Sequence, residues 1–168
     1  MTEVSTRMLA LWDTVRSNGA MAMSPDPFDL DRFLSAQAGV YDRALAEITR
    51  GRKDSHWMWF VFPQIDGLGF SATAKKFAIK SLDEARAYLT HPALGPRLVE
   101  CAEAALGVEG RTAEDIFGPI DALKLRSSAT LFAAVAPVGS VFHRLIEKYF
   151  RGEPDEKTRR LVGVTVTS

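Results

Sequence analysis

A single cysteine, no surplus of either charge and no long apolar run set the first limits on this 168-residue chain. Cys101 alone cannot form an internal disulfide, which fits a reducing, cytoplasmic setting. Together with Leu98 and Ala105 it falls on one apolar helical stripe, the position of an inert buried thiol. The 21 basic residues cancel the 21 acidic ones. No global field therefore draws in polyanions, and no basic stripe marks a duplex-binding face, so a nucleic-acid polymer is not an expected partner. No apolar stretch reaches the roughly 18 residues of a membrane span. The MLALW run near the start is followed at once by Asp13 and Arg16 and is too short for a secretory leader. There is no HExxH, no paired cysteine, no EF-hand loop, no GxGxxG and no Walker sequence. Neither a metal nor a cofactor is implied, and NAD redox chemistry and NTP hydrolysis lose their usual warrants.

What is present is helical punctuation. A composition of 46% hydrophobic and 25% charged residues is that of an ordinary globular chain. Asp29 precedes Leu30, Phe33 and Leu34 at helical spacing, and Val40, Tyr41, Ala44, Leu45 and Ile48 repeat the pattern up to Gly51. Ser71 can cap a helix, and Ser81 with Glu84 reads as a capping box. Pro92 or Pro96 opens a helix through Leu94, Leu98, Cys101 and Ala105, His91 caps or packs beside it, and Gly107 ends it. Thr112 caps a short turn to Phe117, Pro119 opens a long helix to about Val135, and Ser140 caps one that ends near Phe150. WFVF is the one β-like segment, and a single strand builds no sheet. The expected fold is all-α, a single compact domain of about eight or nine short helices. It spans residues 25–168, with a solvated charged tail after Gly152 and a flexible extension over residues 1–24 that ends at Ser-Pro-Asp-Pro.

Two stretches carry the candidate chemistry. In RKDSHWMWFVFPQ, residues 52–64, four of the chain's 13 Trp and Phe side chains fall within six positions. One reading is a structural plug, since each buried aromatic removes about 150–250 Å² from water. The other is a ligand floor. There Trp57 and Trp59 would stack a base, Arg52 and Lys53 would hold phosphates, Gln64 would add a polar contact, and His56 would titrate beside them. In DALKLRSSATLF, residues 121–132, Asp121, Lys124 and Ser128 share one helical face with Ser127 adjoining, while Leu123, Leu125, Phe132 and Ala133 cover most of the rest. Asp121 and Lys124 either pair across one turn or line a pocket wall with the Arg126 fork beside them. Asp66, in the turn between Gln64 and Gly67, is a candidate catalytic carboxylate alongside His56.

AQAGVYDRALAEITRGRKDSHWMWFVFPQIDGLGFSATAKKFAI, then SLDEARAYLTHPALGPRLVE, then DALKLRSSATLF closely resemble, in order, the bacterial family called domain of unknown function 1810, over about residues 26–162. The resemblance implies a compact helical fold and no established activity. Members are sometimes labelled calpastatin, but calpastatin-type inhibitors are disordered and poor in aromatics, whereas this chain has the makings of a core. Two functional expectations follow. In the first, by analogy with the small helical NADAR proteins, the aromatic and basic stretch binds or processes a small anionic nucleotide-like ligand of the ADP-ribose class. His56 and Asp66 would then be catalytic, and Arg52, Lys53, Trp57, Trp59, Gln64, Lys124, Arg126 and Ser127 would bind the ligand. An N-glycosidic cleavage there needs a carboxylate, Asp66 or Asp121, beside an oxocarbenium-like centre. In the second, the protein is a non-catalytic protein-interaction module. Neither reading sets an oligomeric state.

Overall fold

The computed structural model describes residues 25–163; the expectation for residues 1–24 lies outside them. The described chain forms ten helices: α1 (Asp31–Gln37), α2 (Tyr41–Thr49), α3 (Met58–Val61), α4 (Ala72–Lys76), α5 (Leu82–Thr90), α6 (Leu94–Leu106), α7 (Ala113–Phe117), α8 (Pro119–Ala133), α9 (Val141–Phe150) and α10 (Glu156–Val162). Among the described residues no segment is a β-strand, and none of the helices is long and apolar enough to cross a membrane. The all-α reading holds. WFVF is not extended: it makes the single turn α3, followed by one isolated parallel bridge between Ile65 and Ile79. There Ile79 N donates to Gln64 O and Asp66 N to Ile79 O, each at 2.8 Å.

The caps explain most boundaries and correct four of them. Ser71 and Ser81 accept from the amides of Ala74 and Glu84 as their positions suggest. Glu84, however, does not return the bond to close a capping box; its carboxylate goes to Arg32 instead. The reciprocal box is at α7, where Thr112 and Asp115 exchange side-chain to backbone bonds of 3.0 Å. Asp29 is not the cap of α1. It sits at φ 51°, and Asp26 reaches the amides of Leu30 and Asp31. Ser140 stands at the N-cap of α9 but turns its hydroxyl to His143 Nδ1, at 2.8 Å. His91 does cap, its Nδ1 accepting from the amides of Ala93 and Leu94 at 3.1 and 3.2 Å.

The tail after Gly152 is the fourth correction. Asp155 caps α10 by accepting from Thr158, its own amide donates to Thr130 Oγ1 of α8, and Thr158 is fully buried. A charge run at the end of a sequence thus becomes a packed helix, because three short polar contacts orient its small buried face.

α8 is the central element, packed by α5, α7, α9 and α10, while α6 collects α2, α5 and α9 and α1 lies on α3. Aromatic edges knit the interior. Phe33 meets Tyr88 edge-on at 5.0 Å, Tyr88 meets Phe132 at 5.4 Å, and Trp57 and Phe62 both meet Phe117, at 6.4 and 6.1 Å. The turn from α5 into α6 is so close that a Cβ on Gly95 would lie 2.0 Å from the Leu89 carbonyl oxygen, so only glycine fits there.

Cys101 is fully buried on α6, and burial pushes its thiol up to about 12. The native protein should therefore consume no thiol reagent at pH 8 over an hour-scale Ellman assay and one equivalent once denatured; prompt labelling of the folded chain would contradict this.

Candidate functional site

The two candidate stretches do meet. The loop after α2 brings Lys53 against the first turn of α8, where its ammonium pairs with Asp121 at 2.8 Å; Lys124 pairs with the other oxygen of the same carboxylate at 2.9 Å. Each lysine also stands over an indole, Lys53 Nζ 5.0 Å from the Trp57 ring centre and Lys124 Nζ 4.1 Å from that of Trp59. Burial pushes the Asp121 carboxyl up, but the hydrogen bonds and charges of both lysines outweigh it and hold it below the usual carboxylate range. The result is a carboxylate held towards its anionic form, clamped between two cations and unsuited to donate a proton.

A second carboxylate, which the sequence reading did not single out, orders the loop itself. Glu47, buried on α2, accepts from the amides of Asp54 and Ser55, from Ser55 Oγ and from Trp57 Nε1. Burial raises its carboxyl, yet four donors converging on it prevail and bring it down to about 2. Its sequence signal was spacing: three positions after Ala44, it borders the apolar stripe of its helix.

Placed in this frame, the expected site residues separate. Lys53, Trp57, Trp59 and Lys124 are brought together with Asp121. Lys53 is only 7% exposed and gives a further bond to Ser55 O. Trp57 is 1% exposed, with its N–H on Glu47 and its ring against Phe62 and Phe117. It is a core residue, and its faces are not free to stack a base. Arg52 is exposed and reaches Asp54 at 3.4 Å. His56 is exposed. Asp66 lies in an exposed pair with Lys80 at 3.3 Å. Gln64 is buried, its carbonyl spent on the Ile79 bridge. Arg126 turns away from the cluster, its Nε donating to Glu153 O at 2.9 Å and its Nη2 to Pro154 O at 3.4 Å. Ser127 Oγ returns to Leu123 O within the helix, and Ser128 Oγ is buried without a partner among the described residues. The hollow bounded by Trp59, Gln64, Gly69 and Phe77 measures about 10 Å³, room for one water at most. No group of three or more His, Cys, Asp or Glu among the described residues could hold a metal.

Leu123 is not part of the buried surface of α8. It is 62% exposed, Ile120 one turn earlier is 70% exposed, and Phe70 is 79% exposed. Trp59 joins these positions. Lys124 lies over its ring, and Gly69 approaches so closely that a Cβ there would sit 3.4 Å from the ring's outer carbon. The turn carrying Phe70 and the helix carrying Ile120 and Leu123 therefore converge on Trp59.

This arrangement occurs within a fold already seen. Residues 27–162 match the family model described as protein of unknown function (DUF1810). The chain belongs to that family. The crystal structure of the conserved hypothetical protein Rv1873 from Mycobacterium tuberculosis is similar to it, at 53% sequence identity and a TM-score of 0.81, covering 83% of this chain and all of that one. No curated protein matches the chain. Membership fixes the fold and carries no activity with it, so the functional reading of this DUF1810 protein has to come from its own surface.

Proposed function

We propose that this DUF1810 protein is a non-catalytic protein-interaction module, with its contact face on the first half of α8 and the Gly69–Phe70 turn. The observation that carries the reading is that Phe70, Ile120 and Leu123, three of the five large apolar side chains left in solvent among the described residues, stand on the turn and the helix that converge on the Trp59–Lys124 pair. Apolar side chains grouped at a polar rim mark contact surfaces more often than isolated ones do. Lys124 adjoins Leu123 on α8 and uses one hydrogen bond on Asp121. The occupant that suits this face is a protein segment offering apolar side chains beside an Asp or Glu, whose carboxylate would take a remaining Lys124 donor.

The ADP-ribose reading has less support. Trp57 is enclosed, the Trp59 face carries Lys124, Asp121 is neutralised by two lysines, and Arg126 serves the backbone ahead of α10. His56 and Asp66 are exposed, and Asp66 is paired with Lys80.

Selection of a random displayed-peptide library on the full chain should enrich apolar sequences carrying an acidic residue. Those peptides should bind the Leu123→Asp variant at least about tenfold more weakly, as expected for a central anchor, with an unchanged circular-dichroism spectrum. Peptides that bind both forms equally would remove α8 as the contact face. Saturable quenching of tryptophan fluorescence by micromolar ADP-ribose would restore the nucleotide reading in its place.

A further inference from the structure

A cleft of about 320 Å³ lies between α8, α9 and α10, and none of its lining residues belongs to the lysine–tryptophan cluster. Its origin is local. α9 ends in two successive left-handed residues, Arg151 at φ 57° and Gly152 at φ 75°, which turn the chain back towards α8. Arg126 then holds the carbonyls of Glu153 and Pro154, and Thr130 Oγ1 accepts from Asp155 N, so the start of α10 is fixed on α8. Further along, Ala133 at the end of α8 and Ala134 just after it line the cleft, and their small side chains leave the space between the three helices unfilled.

The apolar lining of this cleft includes Ala133, Ala134, Ile146 and Val162, and its ionisable lining groups are His143, Glu147 and Arg159. His143 has its Nδ1 engaged by Ser140 Oγ, which leaves Nε2 as the ring nitrogen available to the cleft. Arg159 reaches Glu156 only at 3.6 Å, in an i, i+3 pair, so most of its five donors have no partner among the described residues. Glu147 has no ion-pair partner among the described residues. One cleft is thus lined by an anionic and a cationic group that form no ion pair with each other, beside apolar side chains.

We propose that this cleft binds a small apolar zwitterion, a free α-amino acid of leucine to phenylalanine size. Its carboxylate meets Arg159 and His143 Nε2, its ammonium meets Glu147, and its side chain covers Ala133, Ala134, Ile146 and Val162. The volume falls at the lower end of ordinary ligand sites, which combine an apolar lining with a few placed polar groups. A simple monoanion would meet Arg159 but also face Glu147, and a simple amine would meet the reverse, so the pair of opposite charges selects for a ligand that carries both.

The test is a titration of the full chain with L-leucine, followed by the imidazole proton resonances of its three histidines and assigned with His143→Gln. The expected result is a saturable shift of the His143 signals alone, with half-saturation below about 10 mM, an ordinary range for so small a ligand. 4-Methylpentanoate and 3-methylbutylamine, which each lack one charge, should bind at least about tenfold more weakly, as should L-leucine to Arg159→Met, since each change removes a charge-assisted contact. Glu147→Gln should weaken leucine and strengthen 4-methylpentanoate. That variant alters an exposed side chain, so it keeps the proposal decidable even if Arg159→Met loosens α10. Absence of any His143 shift, equal binding of leucine and its deaminated analogue, or an unchanged affinity in Glu147→Gln would each overturn the assignment.

Discussion

Arg32→Ala is expected to lose about 3–5 kcal/mol of stability in urea denaturation, the range for breaking a buried ion pair, and so a large share of the 5–15 kcal/mol that holds a typical domain. The guanidinium is saturated. Its Nε donates to Lys76 O at 2.8 Å, its Nη1 to Phe28 O and Asp29 O, and its Nη2 to Ala78 O at 2.8 Å and Glu84 Oε2 at 3.0 Å. One side chain thereby ties the turn before α1, the end of α4 with the segment after it, and α5. Deleting it removes a donor from four carbonyls, those of Phe28 and Ala78 in part-buried positions, and leaves Glu84 a buried anion. Burial already pushes that carboxyl up, and only the bond and charge of Arg32, helped by Lys80, pull it back. Two controls distinguish this from simple truncation. Arg32→Lys should rescue little, because an ammonium has three donors and no planar fork. Arg32→Ala combined with Glu84→Gln should cost less than the sum of the two single changes, since the stranded charge is then gone. A loss below about 1 kcal/mol for Arg32→Ala would mean that water satisfies those carbonyls.

The second large effect belongs to Glu47 and is read against pH. Its folded-state carboxyl lies near 2, against an ordinary value of 4.5. Because the folded value is the lower one, the unfolded chain takes up the proton first as pH falls. The stabilisation is complete above about pH 4.5 and disappears between there and about pH 2; the shift corresponds to about 3 kcal/mol. Glu47→Gln should remove most of this acid-dependent part. Its amide group can present only one oxygen to the amides of Asp54 and Ser55 and turns a donor towards one of the groups that now donate. Glu47→Ala should be worse, leaving the Trp57 N–H and two loop amides buried without acceptors. Stability curves of the native protein and Glu47→Gln that stay parallel from pH 6 to pH 2.5 would show that the loop does not depend on this carboxylate.

Both residues show where sequence reading stops. Caps are local chemistry, and the caps at Ser71, Ser81, His91 and Thr112 were legible because donor and acceptor lie within four positions, as was the Pro119 start of α8 because proline suits the first helical position. Arg32 was not legible, since four of its five acceptors are backbone carbonyls, which have no sequence signature, and two of those lie more than 40 positions away. Arg126 misled for the same reason: a fork beside a polar stripe suggested a phosphate, and the fork holds the backbone at Glu153 and Pro154. The meeting of RKDSHW with the start of α8 was anticipated as the wall of a cavity. It is present as ion pairs and ring contacts with little space left, because side-chain type can suggest which stretches attract but not how tightly they close. The segment WFVF illustrates the limit from the other side, since a short aromatic run fits a strand or a buried helical turn equally well.

The burial of α8 carries one more implication. Six consecutive residues, Ser127 to Leu131 and Phe132, are buried, so over that stretch the helix has no face turned to water. A helix that is amphipathic can release one neighbour and keep the others, which gives a protein separable pieces. One enclosed on every side cannot lose α5, α7, α9 or α10 without exposing apolar surface that the remaining three do not cover. The molecule is in that sense keyed around a single axle, and its amides at the centre of α8 are expected to exchange with solvent only when the whole structure opens.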